Sequence, residues 1–156
     1  MAAHGTHTAL ASGGFTWFTS RVAEALGFAS HHANVLLLDD GAGGGALTGA
    51  VAEPIFDRAA KRATLHDLAA RLGVPEEATL AVGDGANDLD MLRAAGLGVA
   101  YRAKPVVARE ARARLDHADL RALLYAQGYR RAEIAPDGDP CRPLAGAAAG
   151  VARVPS

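Results

Sequence analysis

Short apolar runs alternate with amphipathic stretches along most of this chain. Thr8 to Ser12 (TALAS) predicts a short buried strand, which runs into Gly13-Gly14 and a helix from about Phe15 to Leu26. Phe15, Phe18, Val22, Ala25 and Leu26 share one face of that helix, and Gly27 can end it. Val35 to Leu38 and Ala46 to Val51 read as the arms of a β-hairpin with a loose Gly-rich loop. Asp39 and Asp40 sit in that loop as turn residues. Leu65, Leu68, Ala69 and Leu72 predict the core face of a helix over about 57–72, terminated by Gly73 and Pro75. Leu80-Ala81-Val82 then predicts the end of a buried strand. Asn87 and Asp88 are good N-cap types for the helix that follows, with Leu89, Leu92 and Ala95 as its apolar face and Gly96 as its closing residue. Gly98 to Tyr101 predicts another short strand. Pro105 suits the first turn of a helix from Lys104 to about Arg114, and His117 to Gln127 predicts a last helix with Leu120, Leu123 and Leu124 inward. Strands separated by helices imply an α/β fold with a parallel sheet, the hairpin being an excursion. From Tyr129 onward the periodicity stops, and Ala, Gly, Pro and Arg predict a mostly disordered tail over 130–156.

Composition narrows the possibilities without naming one. The 156 residues suffice for one domain with a real core, and half of them are apolar. A net charge of −1 gives no reason to expect nucleic acid or an anionic membrane surface as partner. The single cysteine, Cys141, excludes an intramolecular disulfide and a cysteine-only zinc site. No apolar run approaches the ~20 residues of a transmembrane helix, and the first residues lack the pattern of a secretory signal. His4 and His7 belong to a frayed, solvated start, and a cytoplasmic location is the default expectation.

The stretch LAVGDGANDLDML (80–92) carries the densest chemistry. Gly83 and Gly85 flank Asp84, so the backbone can turn sharply and a ligand can come close. Asp84 falls at the carboxyl end of a strand, where open α/β sheets bind ligands, and Asp88 lies one turn further on. Two carboxylates and an amide there suit a hard cation such as Mg²⁺. A capped strand–turn–helix corner explains any one of these acids alone, but the whole combination seldom arises by chance. Ser12-Gly13-Gly14 ahead of a helix is either an anion site or a plain cap with a glycine turn. Lys61, taken alone, is a solvated surface lysine that contributes little to folding.

Together these residues resemble the haloacid dehalogenase superfamily, and within it the phosphoserine phosphatase branch. SGGFT (12–16), Lys61, GDGANDLDML (83–92), AAGLGVAYRAKP (94–105) and HADL (117–120) occur in that family's order and approximate spacing, and LTG (47–49) fits its hairpin. The resemblance covers about residues 8–128. It implies a partial core over 1–128, with 129–156 as the tail. The implied fold is a Rossmannoid parallel sheet with flanking helices and a β-hairpin excursion.

The implied activity is hydrolysis of a phosphate monoester, O-phosphoserine in this branch, through an aspartyl-phosphate with Mg²⁺. The resemblance gives Ser12 a hydrogen bond to a phosphoryl oxygen and the Gly13 N–H another. Lys61 would neutralise the phosphate and the attacking carboxylate, and Asn87 would orient the phosphoryl group. Asp84 would ligate Mg²⁺ directly, while Asp88 would hold the metal's waters or the lysine. One departure stands against these matches. The family's first motif, an apolar strand ending in D-x-D-x-T/S that supplies nucleophile and general acid/base, is absent ahead of Ser12, as is most of the cap.

No substitute presents itself. Asp137-Gly138-Asp139 has the spacing but a poor strand before it, Asp39-Asp40 has the wrong spacing, and Asp57 lacks an apolar strand. In the family the absent strand lies between the strands ending at Ser12 and Asp84, so both would lose a neighbour. The resemblance therefore implies a chain with negligible activity alone, completed by a separate chain that supplies the nucleophile strand. A non-catalytic fragment that binds Mg²⁺ or a phospho-ligand, or only associates, is an alternative. Another small phosphomonoester as substrate is a second.

Overall fold

The structure, a computed structural model, describes residues 5–39 and 45–134. Asp40, His4, Cys141, the 137–139 triplet and most of the expected tail lie outside the described residues. The chain divides between Asp57 and Arg58 into two compact units.

The first unit opens with a βαβ arrangement. Strand β1 (Ala9–Phe15) leads into helix α1 (Thr16–Leu26), and β2 (Ser30–Asn34) returns parallel to β1. Gly27 ends α1 in the left-handed region, φ 70°, and the Phe28 N–H closes back on the Ala23 carbonyl at 2.8 Å. The sequence pattern missed β2, because SHHAN offers no apolar alternation. Its polar side chains find partners instead. His31 Nδ1 meets the Thr19 hydroxyl of α1 at 3.0 Å, and Ser30 lies 3.1 Å from His7 Nε2. The apolar stripe expected on α1 is not its buried face. Thr19 and Ala23 are buried, whereas Phe18 and Leu26 are 58% and 70% exposed. Beyond β2 the expected hairpin forms, with β3 (Leu36–Leu38) antiparallel to β4 (Leu47–Val51).

The second unit starts with α2 (Arg58–Leu72) and carries the three-stranded parallel sheet β5 (Leu80–Gly83), β6 (Leu97–Tyr101) and β7 (Ala113–Leu115), in that order. A 3₁₀ turn (Ala86–Asp88) and α3 (Leu89–Ala94) connect β5 to β6, and α4 (Pro105–Glu110) connects β6 to β7. The core gathers Ala81, Leu89, Leu92, Ala95, Ala100 and Val107, with Leu65 packed against it. The expected apolar face of α3 is thus the buried one.

Gly96 is not the cap of α3, whose C-cap is Ala95. A Cβ there would stand 1.9 Å from the Glu77 carbonyl oxygen, so bare backbone is needed for two segments to touch. The helix expected to reach Arg114 stops at Glu110, and Ala113–Leu115 pairs with β6 instead. The last helix, α5 (Ala122–Ala126), is shorter than the expected 117–127. Leu72 and Leu120, expected inward, are about half exposed.

The parallel pairing matches the expected fold class, divided between two sheets. Among the described residues β1 pairs only with β2, and β5 only with β6. Each therefore has one side without a strand neighbour. No helix among the described residues is long and apolar enough to cross a membrane.

Candidate active site

In the second unit one carboxylate organises the loop after β5. Asp88 folds back over the turn instead of capping forward. Its Oδ2 accepts hydrogen bonds from the N–H groups of Gly85 at 3.0 Å and Asp84 at 3.2 Å. Its Oδ1 accepts one from Lys61 Nζ at 2.6 Å. Both residues are 5% exposed, so Lys61 is not the surface lysine its position suggests. A buried charge needs a partner and hydrogen bonds, and Asp88 has three donors. The backbone must be bare for this to happen, since a Cβ at Gly83 would lie 2.4 Å from that of Asp88.

Arg58, one turn ahead of Lys61 on α2, bonds both carboxylate oxygens of Asp90. That hydrogen-bonded guanidinium holds the Asp90 carboxyl below the usual carboxylate range. Arg58 and Lys61 thus tie α2 to the turn and to α3 at two points.

Asp84 and Asn87 face outward from the same turn. No described residue donates to the Asp84 carboxylate, while its backbone carbonyl accepts from the Lys104 N–H at 3.2 Å. Asp84 lines a cleft of about 340 Å³ with Val82, Gly83, Tyr101, Arg102 and Leu120. Arg102 holds φ at 44°, an unusual conformation for a residue with a side chain. No three His, Cys, Asp or Glu side chains converge among the described residues. The donor set that remains is the single outward Asp84, since both oxygens of Asp88 bond protein donors. That set fits a hard cation that keeps most of its waters.

Ser12 and Gly13 belong to the first unit, which is described by itself. Ser12 does not cap α1, whose N-cap is Phe15 with no side-chain bond. Its Oγ accepts from the Gly14 N–H at 3.1 Å. The sequence reading missed Asn34, which is buried and donates to the Gly13 and Gly14 carbonyls. Its one sequence signal is a lone amide directly ahead of the apolar run Val35–Leu38.

Residues 51–124 match the family model described as haloacid dehalogenase-like hydrolase. A phosphoserine phosphatase of Streptomyces coelicolor is 47% identical over 130 residues, 83% of this chain and 31% of that one. The phosphoserine phosphatase SerB2 of Mycobacterium tuberculosis is 44% identical over 88% of this chain and 33% of its own length. A solved structure of a probable phosphoserine phosphatase from Vibrio cholerae superposes with a TM-score of 0.73 at 41% identity, covering 79% of this chain and 37% of that one. Over residues 51–124 the chain is similar to haloacid dehalogenase-like hydrolases. It spans about a third of the length of these three relatives. Lys61, Asp84, Asn87 and Asp88 fall inside the haloacid dehalogenase-like match, whereas Ser12 and Gly13 precede it.

Proposed function

We propose that this chain carries the phosphate- and cation-handling residues of a phosphoserine phosphatase, hydrolysing O-phosphoserine to serine and phosphate in the cytoplasm. The observation that carries the reading is the buried Lys61–Asp88 pair, clamped to the backbone of Asp84 and Gly85 so that the Asp84 carboxylate stands clear of protein donors. Asp84 would hold a divalent cation, and Mg²⁺ is the one its oxygen chemistry suits, with Asp88 acting behind it through the turn. The cation, when bound, supplies positive charge against the repulsion between a phosphate and an attacking carboxylate. Lys61 adds a fixed charge to the same end, and Asp88 holds it in place. The Asn87 amide would orient the phosphoryl group, while the Ser12 hydroxyl and Gly13 N–H would bind its oxygens.

The attacking aspartate would come from a partner segment carrying D-x-D-x-T/S. The test is phosphoserine hydrolysis with Mg²⁺ by this chain alone, then with that segment added. We expect negligible turnover alone, turnover on complementation, and loss of it in Asp84→Asn. Clear turnover by the pure chain would refute the account of the nucleophile. Phosphoethanolamine and phosphothreonine, run beside phosphoserine, decide among small phosphomonoesters.

The strand sides left open on β1 and β5 favour a second reading, a fragment that binds or associates without turnover. Calorimetry showing phosphoserine and Mg²⁺ binding that the added segment neither increases nor converts to hydrolysis would favour it.

A further inference from the structure

We infer that Asn34 is a positioning residue for the Ser12 hydroxyl, aiming its proton at an anionic ligand. The inference rests on the phosphate-binding role proposed above for Ser12.

It starts from a defect in the sheet. Between Ala11↔His32 and Phe15↔Asn34, four steps along β1 face two along β2. Two residues of β1 are in excess, and SGG (12–14) bulges out of the ladder. The bulged backbone loses its ladder partners, and the Gly13 and Gly14 carbonyls, on the exposed part of β1, take up new donors.

Asn34, 8% exposed, supplies them. Its Nδ2 donates to the Gly13 carbonyl at 3.0 Å and the Gly14 carbonyl at 3.3 Å. Its Oδ1 accepts from the Phe56 N–H at 2.6 Å. Two carbonyls can only accept and an N–H can only donate, so the amide has one workable orientation.

The peptide group between Gly13 and Gly14 is therefore held at both ends. Its C=O receives the Asn34 proton, and its N–H donates to Ser12 Oγ. A hydroxyl has one proton and two lone pairs. The Gly14 bond occupies a lone pair, and no described residue accepts the Ser12 proton. A hydrogen bond donated into one end of such a chain strengthens the donor at the other. The hydroxyl is thus polarised as a donor, which a phosphoryl oxygen can use.

A purely structural Asn34 would stabilise the bulge without sensing the ligand. Inorganic phosphate is the probe, titrated with Mg²⁺ into the whole chain. In NMR spectra of the unmutated chain we expect the Gly14 amide and the Asn34 side-chain NH₂ to shift together with the Gly85 amide. In Ser12→Ala the Gly85 shift persists, and those of Gly14 and Asn34 vanish. By calorimetry Ser12→Ala and Asn34→Leu each weaken binding about tenfold, the scale of one hydrogen bond to a charged acceptor. The double variant is no weaker than Ser12→Ala alone.

Shifts at Gly85 and Gly14 with Asn34 silent would overturn the inference and leave the proposed function standing, as would additive losses in the double variant. No phosphate binding at all would overturn both. The titration of the unmutated chain decides the matter even if Asn34→Leu does not fold.

Discussion

Replacing Lys61 with methionine removes a charge from the interior while keeping most of the side chain's volume. The Lys61 and Asp88 side chains are 6% and 7% exposed and 2.6 Å apart. Removing one member of such a pair costs about 3–5 kcal/mol, because the other charge stays buried without its counterion. Asp88 would keep its two backbone N–H donors, which places the cost near the lower end, about 3 kcal/mol. For a unit of this size that corresponds to a fall in Tm of about 12–24 °C.

Thermal unfolding followed by circular dichroism at pH 7 measures it, on Lys61→Met, Asp88→Asn and the double variant. The double variant should recover part of the loss, since neither charge is then stranded. This outcome reverses what a surface lysine implies, so activity must be compared per folded molecule. If Lys61→Met melts within about 2 °C of the unmutated chain, or the double variant is no better than the sum of the singles, the argument from burial is wrong.

Gly83→Ala should destabilise at least as much as Lys61→Met, because its Cβ would displace Asp88 from 2.4 Å away, and the same melts test this. Gly98→Ala places a Cβ 2.0 Å from the Leu92 carbonyl oxygen, a backbone atom that cannot swing aside, and we expect little soluble folded protein on expression. Leu92→Ala, at 1% exposure in the centre of the core, should lower unfolding free energy by about 2–5 kcal/mol in urea titrations. Asp90 and Asp119 both titrate below the ordinary value of 3.8, held down by hydrogen bonds from Arg58 and Arg121 respectively. Their contribution is present above that value and lost as pH falls through the depressed one, so Asp90→Asn should flatten the acid limb of Tm against pH, with the difference shrinking at high salt.

The corner after β5 was legible because several local signals agree there. Leu80 to Val82 is apolar, two glycines flank an acid, and Leu89, Leu92 and Ala95 recur at helical spacing. What the pattern could not show was direction. Asp88 looks like a forward cap and bonds backward, because Lys61, 27 positions away in the chain, completes its coordination. Strand β2 escaped notice because His31 and Asn34 meet their partners through the bulge and α1, which no local window contains. Strand β7 was absorbed into a helix because Ala113-Arg114-Leu115 is too short to display a period of two. Gly96 resembled a helix terminator, and only the approach of Glu77 explains it. The grouping of Lys61 with Asp88 follows from geometry, whereas the roles of Ser12, Gly13, Asn87 and Asp84 toward a ligand rest on the proposed function.

A single buried acid that grips both a lysine and the turn bearing Asp84 makes these two groups mechanically inseparable. Any drift in one drags the other. Adaptation to a different ester or cation would then have to arise in side chains free of that grip, such as Asn87 and Arg102, which can vary without loosening it.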